Sequence, residues 1–349
     1  MKSKKSKFTI VIRADSSKKI GTGHIARDLE LAKSLKSHAN IIFLTKDNPS
    51  SIKKIKQDGF KTILIPEKTT LSRELKITKK ILEKINPDII ILDIWEKYKD
   101  PKFVSVFKER CRKLVCFFDE PVKRVIDADI VINGHPRQNP DWYKKSSAKY
   151  LVSPRYFVMN PRFADFNKKK KKILKRIKQI FITFGGSDHN NLIFKFLKTI
   201  DEIPTKFKIV IAIGLAFGEE EKLNQLIKTM GHKVKVKKNI PNLIDILYKS
   251  DIAITSAGNT IFERLAIGTP GITINQLDNQ NTIASAFAKK KSNINLGMHQ
   301  KVDNKKFSKK LSNLIEDAHL RKFISISGKK QVDGLGLRRV TNHIIKLLY

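Results

Sequence analysis

Phe8-Thr9-Ile10-Val11-Ile12-Arg13-Ala14-Asp15-Ser16-Ser17-Lys18-Lys19-Ile20-Gly21-Thr22-Gly23-His24-Ile25-Ala26-Arg27-Asp28-Leu29 is the stretch whose reading decides the fold. Its first five residues form an almost wholly apolar run of strand length, which reads as a buried parallel strand. From His24 onward the apolar residues recur at helical spacing, so a helix is expected over 24–37. The unit is strand, loop, helix, and it places His24 near a helix N-terminus. The partial positive charge there disfavours imidazolium, so the ring is expected to stay neutral and able to accept a proton. Gly21 and Gly23 lack the Cβ atoms that would hold a substrate away from the backbone N–H groups.

Two other readings of these residues stay open. Gly21-Thr22-Gly23-His24-Ile25-Ala26 fits the G-x-G-x-x-G/A dinucleotide fingerprint, with Asp47 about 20 residues on, where a ribose-binding acid belongs. In a dinucleotide fold, however, the strand runs straight into the first glycine, whereas here Arg13 to Ile20 intervene. The other reading is a tight turn with a capping histidine.

Working outward, apolar strands at 8–12, 40–44, 62–65, 89–92, 114–118 and 130–132 alternate with helical stretches at 24–37, 50–57, 72–85 and 102–112. That alternation is the signature of a parallel sheet covered by helices. Residues 140–149 read as loop and 167–172 as a charged connection, with the lysine run 168–172 exposed. The pattern then restarts, with strands at 179–183, 208–212, 234–236, 251–255 and 271–274. Helices are expected from 190 and at 219–230, 243–249, 260–267 and 282–290. Two α/β domains follow, 1–166 and 173–349, with a cleft between them. Ligands of open α/β sheets bind outside the carboxyl ends of the strands, so the loops after strands are where chemistry is sought.

A chain of 349 residues can bury two such cores. Its formal charge of +38 could announce nucleic acid, but the excess is spread over both halves, and only 14 of the 71 basic residues are arginines. Bidentate reading of bases and phosphates favours arginine. The charge therefore reads as solvated surface lysine, with an anionic small substrate contributing, and nucleic acid is not expected as a partner. The apolar run at 8–12 is broken by Arg13 and Asp15 before it reaches the length of a signal or membrane segment, so a cytoplasmic protein with no transmembrane segment is expected. Cys111 and Cys116 match no zinc spacing, and neither do His135, His189, His232 and His299. The phosphate-binding G-x-x-x-x-G-K-[ST] run is missing. No metal and no cofactor are expected.

Two further loops could carry chemistry. Phe184-Gly185-Gly186-Ser187-Asp188 ends a strand on a glycine pair before a helix, and it reads either as a phosphate-binding turn or as a turn with Ser187 or Asp188 as helix N-cap. Ser256-Ala257-Gly258-Asn259-Thr260-Ile261-Phe262-Glu263 repeats the arrangement. Thr260 and Glu263 form the S/T-x-x-E capping-box pattern, while a free Glu263 could instead accept ribose hydroxyls; both roles stay open. Asn275-Gln276 and Asn279-Gln280-Asn281 gather amides after a strand, as sugar recognition or turn chemistry would.

Taken together, the Arg13 to Leu29 segment, Gly185 to Asp188, Ser256 to Glu263 and Asn279-Gln280 resemble the UDP-2,4-diacetamido-2,4,6-trideoxy-β-L-altropyranose hydrolases of pseudaminic acid synthesis. The resemblance spans both halves, and its glycine loops are shared with GT-B glycosyltransferases. It implies a GT-B-like α/β fold of two Rossmann-like domains facing each other across a cleft, with the nucleotide held by the second. His24 matches the catalytic histidine of that family and Asn279 an active-site asparagine. Gly258 to Glu263 match its nucleotide-binding loop, and a UDP-sugar is the implied substrate. Two residues after Asp93 the family has a tyrosine near the reactive sugar, where this chain has Trp95, which can stack or donate N–H but cannot act as a phenol.

The expected reaction is hydrolysis at the anomeric carbon. His24 takes a proton from water, Asp15 orients His24, and helix N-termini at Gly186-Ser187 and Gly258-Thr260 stabilise the leaving diphosphate. Gly21, Gly23, Arg27, Trp95, Gly186, Ser187, Ser256, Ala257, Gly258, Asn259, Thr260 and Glu263 are the expected substrate contacts. A glycosyltransferase, in which His24 activates a hydroxyl, and a nucleotide-sugar binding module without catalysis are the rival readings.

Overall fold

The computed structural model describes residues 8–16, 23–94, 97, 98, 100–120, 123–214 and 216–349. Gly21 and Trp95, singled out above, lie outside the described residues.

Two parallel-sheet units account for the described chain, Met1–Asn160 with Leu335–Tyr349, and Pro161–Gly334. The first is built on strands β1 (Phe8–Ala14), β2 (Ala39–Lys46), β3 (Lys61–Ile65), β4 (Ile89–Asp93), β5 (Lys113–Phe117), β6 (Ile130–Asn133) and β7 (Lys149–Val152). Helices α1 (Gly23–Leu35), α2 (Pro49–Gln57), α3 (Leu71–Ile85) and α4 (Pro101–Lys108) connect the early strands. The sheet order is β3-β2-β1-β4-β5-β6-β7, parallel throughout. Alternate residues point to opposite faces, as the strand period requires, so Ile10 and Ile12 enter one core and Val11 the other. Both faces are covered, which is why these strands read as continuous apolar runs.

The second unit begins with α5 (Arg162–Lys168) and carries β8 (Gln179–Thr183), α6 (Leu192–Asp201), β9 (Lys208–Ile213), α7 (Glu220–Lys228), β10 (Lys233–Lys238) and α8 (Ile244–Lys249). It continues with β11 (Ile252–Thr255), α9 (Asn259–Ile267), β12 (Gly271–Asn275), α10 (Asp278–Lys289), β13 (Ile294–Met298), α11 (Asn304–Glu316) and α12 (Ala318–Gln331). Its parallel sheet runs β10-β9-β8-β11-β12-β13. In each sheet the strand order reverses once, between β1 and β4 and between β8 and β11. Those reversals are the topological switch points at which ligands of such sheets bind.

The chain departs from the expected division at its C-terminus. Helix α13 (Gly336–Ile345) belongs to the first unit, where Leu337, Val340 and Ile344 form one apolar stripe in the same core as Ile25, Leu29 and Ala32 of α1. Thr341 and Ser34 share a hydroxyl hydrogen bond of 2.7 Å across the α1–α13 contact. Entry to α13 needs glycine, because a Cβ on Gly336 would come within 2.0 Å of the Phe157 carbonyl oxygen. The expected second domain of 173–349 therefore ends too late, and its start at 173 is also late, since α5 packs on α8 and α9.

The lysine run is not wholly exposed either. The Lys171 ammonium donates to the carbonyls of Leu247 (3.2 Å), Tyr248 and Ser250 (2.8 Å), closing the C-terminal turn of α8 where carbonyls lack intrahelical partners. Burial lowers its pKa to about 8. Among the described residues no helix is long and apolar enough to cross a membrane.

Candidate functional site

At the first switch point, the loop after β1 leads to Gly23, the first residue of α1, and His24 and Arg27 follow one turn apart on that helix. The carboxyl end of β4 supplies Asp93, and Asp119 lies just beyond β5. The His24 Nδ1 is 2.8 Å from Asp93 Oδ1. Arg27 donates Nε–H to Asp93 Oδ2 at 2.7 Å and an Nη2 hydrogen to Asp93 Oδ1, and it reaches Asp119 through Nη1 (3.2 Å) and Nη2 (2.7 Å). Its guanidinium stacks 4.5 Å over the Phe117 ring.

This geometry selects the tautomer. A carboxylate only accepts, so the Nδ1 facing Asp93 carries hydrogen and Nε2 holds the lone pair in the neutral ring. Arg27 Nη2, 3.2 Å from the same Nδ1, is itself only a donor and spends its hydrogens on the two carboxylates. Ligand-capable atoms of His24, Asp93 and Asp119 lie within 4.8 Å of one another, close enough to share a cation, and the positive group between these carboxylates is the Arg27 guanidinium.

The electrostatics correct one expectation. Burial opposes charge on His24, but the facing Asp93 carboxylate outweighs it, with Asp119 assisting and Arg27 opposing, and the pKa rises above its ordinary 6.5. The helix N-terminus therefore does not decide the charge of the ring, because a hydrogen-bonded carboxylate acts at shorter range than a partial helix charge. Burial also disfavours the Asp93 anion, yet Arg27 and His24 hold its pKa well below the usual carboxylate range.

A second expectation fails with it. Asp15 is committed elsewhere, in a separate buried cluster: both its oxygens accept from the Arg13 guanidinium, and Oδ1 also accepts the Lys46 N–H at 2.8 Å. Arg13 Nη2 reaches Glu74 at 2.9 Å, and Lys97 binds both Glu74 oxygens. The carboxylate orienting His24 is Asp93, not Asp15. Sequence reasoning passed over Asp93 and Asp119 although a signal was present, since each is an acid at or just past the carboxyl end of a strand whose interior is apolar.

At the second switch point the two glycine loops differ. Gly185 (φ +88°) and Gly186 are exposed, Ser187 is half-buried, and the helix begins only at Leu192. Its first donors are already taken, because the Asp188 carboxylate accepts from the N–H groups of Leu192 (3.0 Å) and Ile193 (2.9 Å). The expected anion-binding helix start at Gly186-Ser187 is thus capped from within. After β11, α9 starts at Asn259 with Gly258 as N-cap and no side-chain capping bond, and no acidic residue sits in its first turn. Thr260 lies inside the helix instead of at its cap, so the Thr260–Glu263 capping box does not form. Glu263 is half-buried and has no hydrogen-bond partner among the described residues, and burial raises its pKa to about 7.

The amides serve as loop braces. Ser256 and Ala257 are buried, with the Ser256 hydroxyl donating to Ile274 O (3.0 Å) and the Ala257 N–H to Asn275 Oδ1 (3.3 Å). Gln276 Nε2 donates to Phe184 O (2.8 Å) and Ser256 Oγ (3.2 Å), tying the loops after β8 and β11 together. Asn279 is exposed on α10, and its Oδ1 accepts the Gln280 N–H at 2.7 Å.

Comparison with known proteins bears on the fold and on the family resemblance. Residues 179–330 match the glycosyltransferase family 28 C-terminal domain. Over 82% of its length the chain is 34% identical to an uncharacterised protein of Methanocaldococcus jannaschii, and it spans 60% of that relative. It is 24% identical to the UDP-2,4-diacetamido-2,4,6-trideoxy-β-L-altropyranose hydrolase of Campylobacter jejuni over 80% of this chain and 96% of that one, which bears out the resemblance carried by the motifs. The Acinetobacter baumannii MurG structure superposes with a TM-score of 0.73 at 13% identity, covering 97% of this chain and 99% of that one. That likeness and the two parallel sheets bear out the GT-B-like α/β fold.

Proposed function

We propose that this protein is an enzyme acting on a nucleotide-activated sugar, and that it hydrolyses a UDP-linked deoxy-diacetamido sugar at the anomeric C–O bond, releasing UDP and the free sugar for nonulosonic acid synthesis. The observation that carries the reading is the His24–Asp93 pair at a switch point. Water adds its oxygen to the anomeric carbon and gives its proton to His24 Nε2. The imidazolium so formed is stabilised by Asp93 on Nδ1. The anomeric C–O bond breaks with its electron pair going to the β-phosphate oxygen of UDP. In the second unit, the uncapped N-terminus of α9 offers the N–H groups near Gly258, Asn259 and Thr260 to a diphosphate, and Glu263 is free to accept ribose hydroxyls. Gly186 and Ser187 would add backbone or hydroxyl donors, and the braces on Ser256 and Ala257 hold the loop in shape. Gly21, Gly23 and Trp95 remain expected sugar contacts, and Asn279, exposed on α10, an expected active-site amide.

The match of residues 179–330 to a glycosyltransferase domain favours a second reading, transfer of the sugar to an alcohol. Incubation with UDP-sugars in ¹⁸O-water separates the two. Hydrolysis at carbon releases UDP without acceptor and puts the label in the sugar, and label in UDP would overturn it. UDP release only after an alcohol is added would establish transfer instead.

A further inference from the structure

Asp28 is fully buried on α1, one residue past Arg27 and one turn past His24, and neither carboxyl oxygen receives a hydrogen bond from a donor among the described residues. It stands four residues beyond His24 on the same face of α1, and His24 Nδ1 is 2.8 Å from Asp93, the neighbouring charge that acts on Asp28 most strongly. Two carboxylates this close and shielded from water cannot both keep their charge. Asp93 has His24 and Arg27 as donors, whereas Asp28 has none among the described residues, so the shared proton belongs to Asp28.

The charge count points the same way. Arg27 and a protonated His24 carry two positive charges, and Asp93 and Asp119 carry two negative ones. An ionised Asp28 would set a third carboxylate against Arg27 and at most one further positive charge on His24, so the smaller imbalance has Asp28 uncharged in either state of the ring. The groups facing Asp28 are Asp93 at the end of β4, Asp119 beyond β5 and Arg27 on its own helix. Burial and the two acids push its pKa well above the usual range, against Arg27.

We propose that Asp28 is a neutral positioning acid that donates a hydrogen bond to the Asp93 carboxylate, holding it against His24 Nδ1. The same bond shares the negative charge of Asp93 and weakens its hold on the His24 proton, which leaves more of the ring neutral near pH 7. The kinetic consequence rests on His24 as the base, while the proton on Asp28 does not.

Infrared difference spectra of the ligand-free chain against Asp28→Asn at pH 7 test the protonation. A protonated carboxylic C=O stretch present in the native chain and lost in Asp28→Asn is expected, and identical spectra would overturn the proposal. NMR titration of His24 tests the positioning. Asp28→Asn keeps an N–H donor and should titrate like the native chain, whereas Asp28→Leu should move the His24 midpoint upward by about one pH unit. An unmoved midpoint in a folded Asp28→Leu variant would reduce Asp28 to packing. A moved midpoint with unchanged turnover would sustain the positioning role and remove His24 as the base.

Discussion

At the carboxyl end of the first sheet every strong charge is answered from within: Arg27 lies between Asp93 and Asp119, and His24 leans on Asp93. At the carboxyl end of the second sheet the corresponding groups are left open, with no side-chain cap on α9 at Gly258 and no hydrogen-bond partner for Glu263 among the described residues. Both lie at a strand-order reversal, so topology alone does not explain the difference. The first arrangement suits chemistry, because groups fixed by their neighbours need little reorganisation as charge develops. The second suits binding, because orphan donors and an unpaired acid gain when a ligand satisfies them.

That contrast can be broken first at His24. His24→Ala should lower kcat by roughly 10²–10⁴-fold with KM little changed, and steady-state kinetics with a UDP-sugar showing near-native turnover would remove catalysis from the first site. At the second site the effect should fall on binding. Glu263→Gln should weaken UDP by about tenfold in calorimetry while Tm holds, since no cap is lost. A falling Tm with unchanged affinity would make Glu263 structural.

The pH dependence sharpens the comparison further. Only neutral His24 can take a proton, so kcat/KM should rise with pH through an inflection above 6.5, in the direction of the raised pKa. The stability contributed by charged His24 has the opposite sense. It is fully present below 6.5 and lost as pH rises through the folded pKa. In Asp93→Asn the inflection should move down together with kcat, and an inflection that stays in place would separate His24 from Asp93. The smallest effect is expected at Asp188, where Asp188→Ala removes two bonds to the start of α6 and should cost about 1 kcal/mol in denaturant melts with UDP affinity unchanged.

Much of the fold was legible because buried parallel strands are apolar without interruption. The expected strand at 179–183 coincides with β8, and the others differ by a residue or two at their ends. The strands β7 and β13 were missed. Lys149–Val152 offers only four residues with an exposed lysine, and Ile294–Met298 is an edge strand broken by Gly297. The glycine-rich start of α1 made His24 and Arg27 visible, and the loop at Gly258 stood out in the same way. The capping box at Thr260–Glu263 misled because a four-residue pattern does not say where the helix begins.

The sequence by itself determined two parallel α/β units, the loops at their switch points and the histidine that opens α1, since each follows from periodicity and from residues within a single turn. Only the tertiary structure decided who partners whom. Asp93 reaches His24 across 69 positions and Asp119 reaches Arg27 across 92. Asp15 turns instead to Arg13, Asp28 is left beside Asp93, and α13 returns to the first unit. Backbone preference and hydrophobic spacing are local, whereas charge pairing depends on which strand ends the sheet order places side by side.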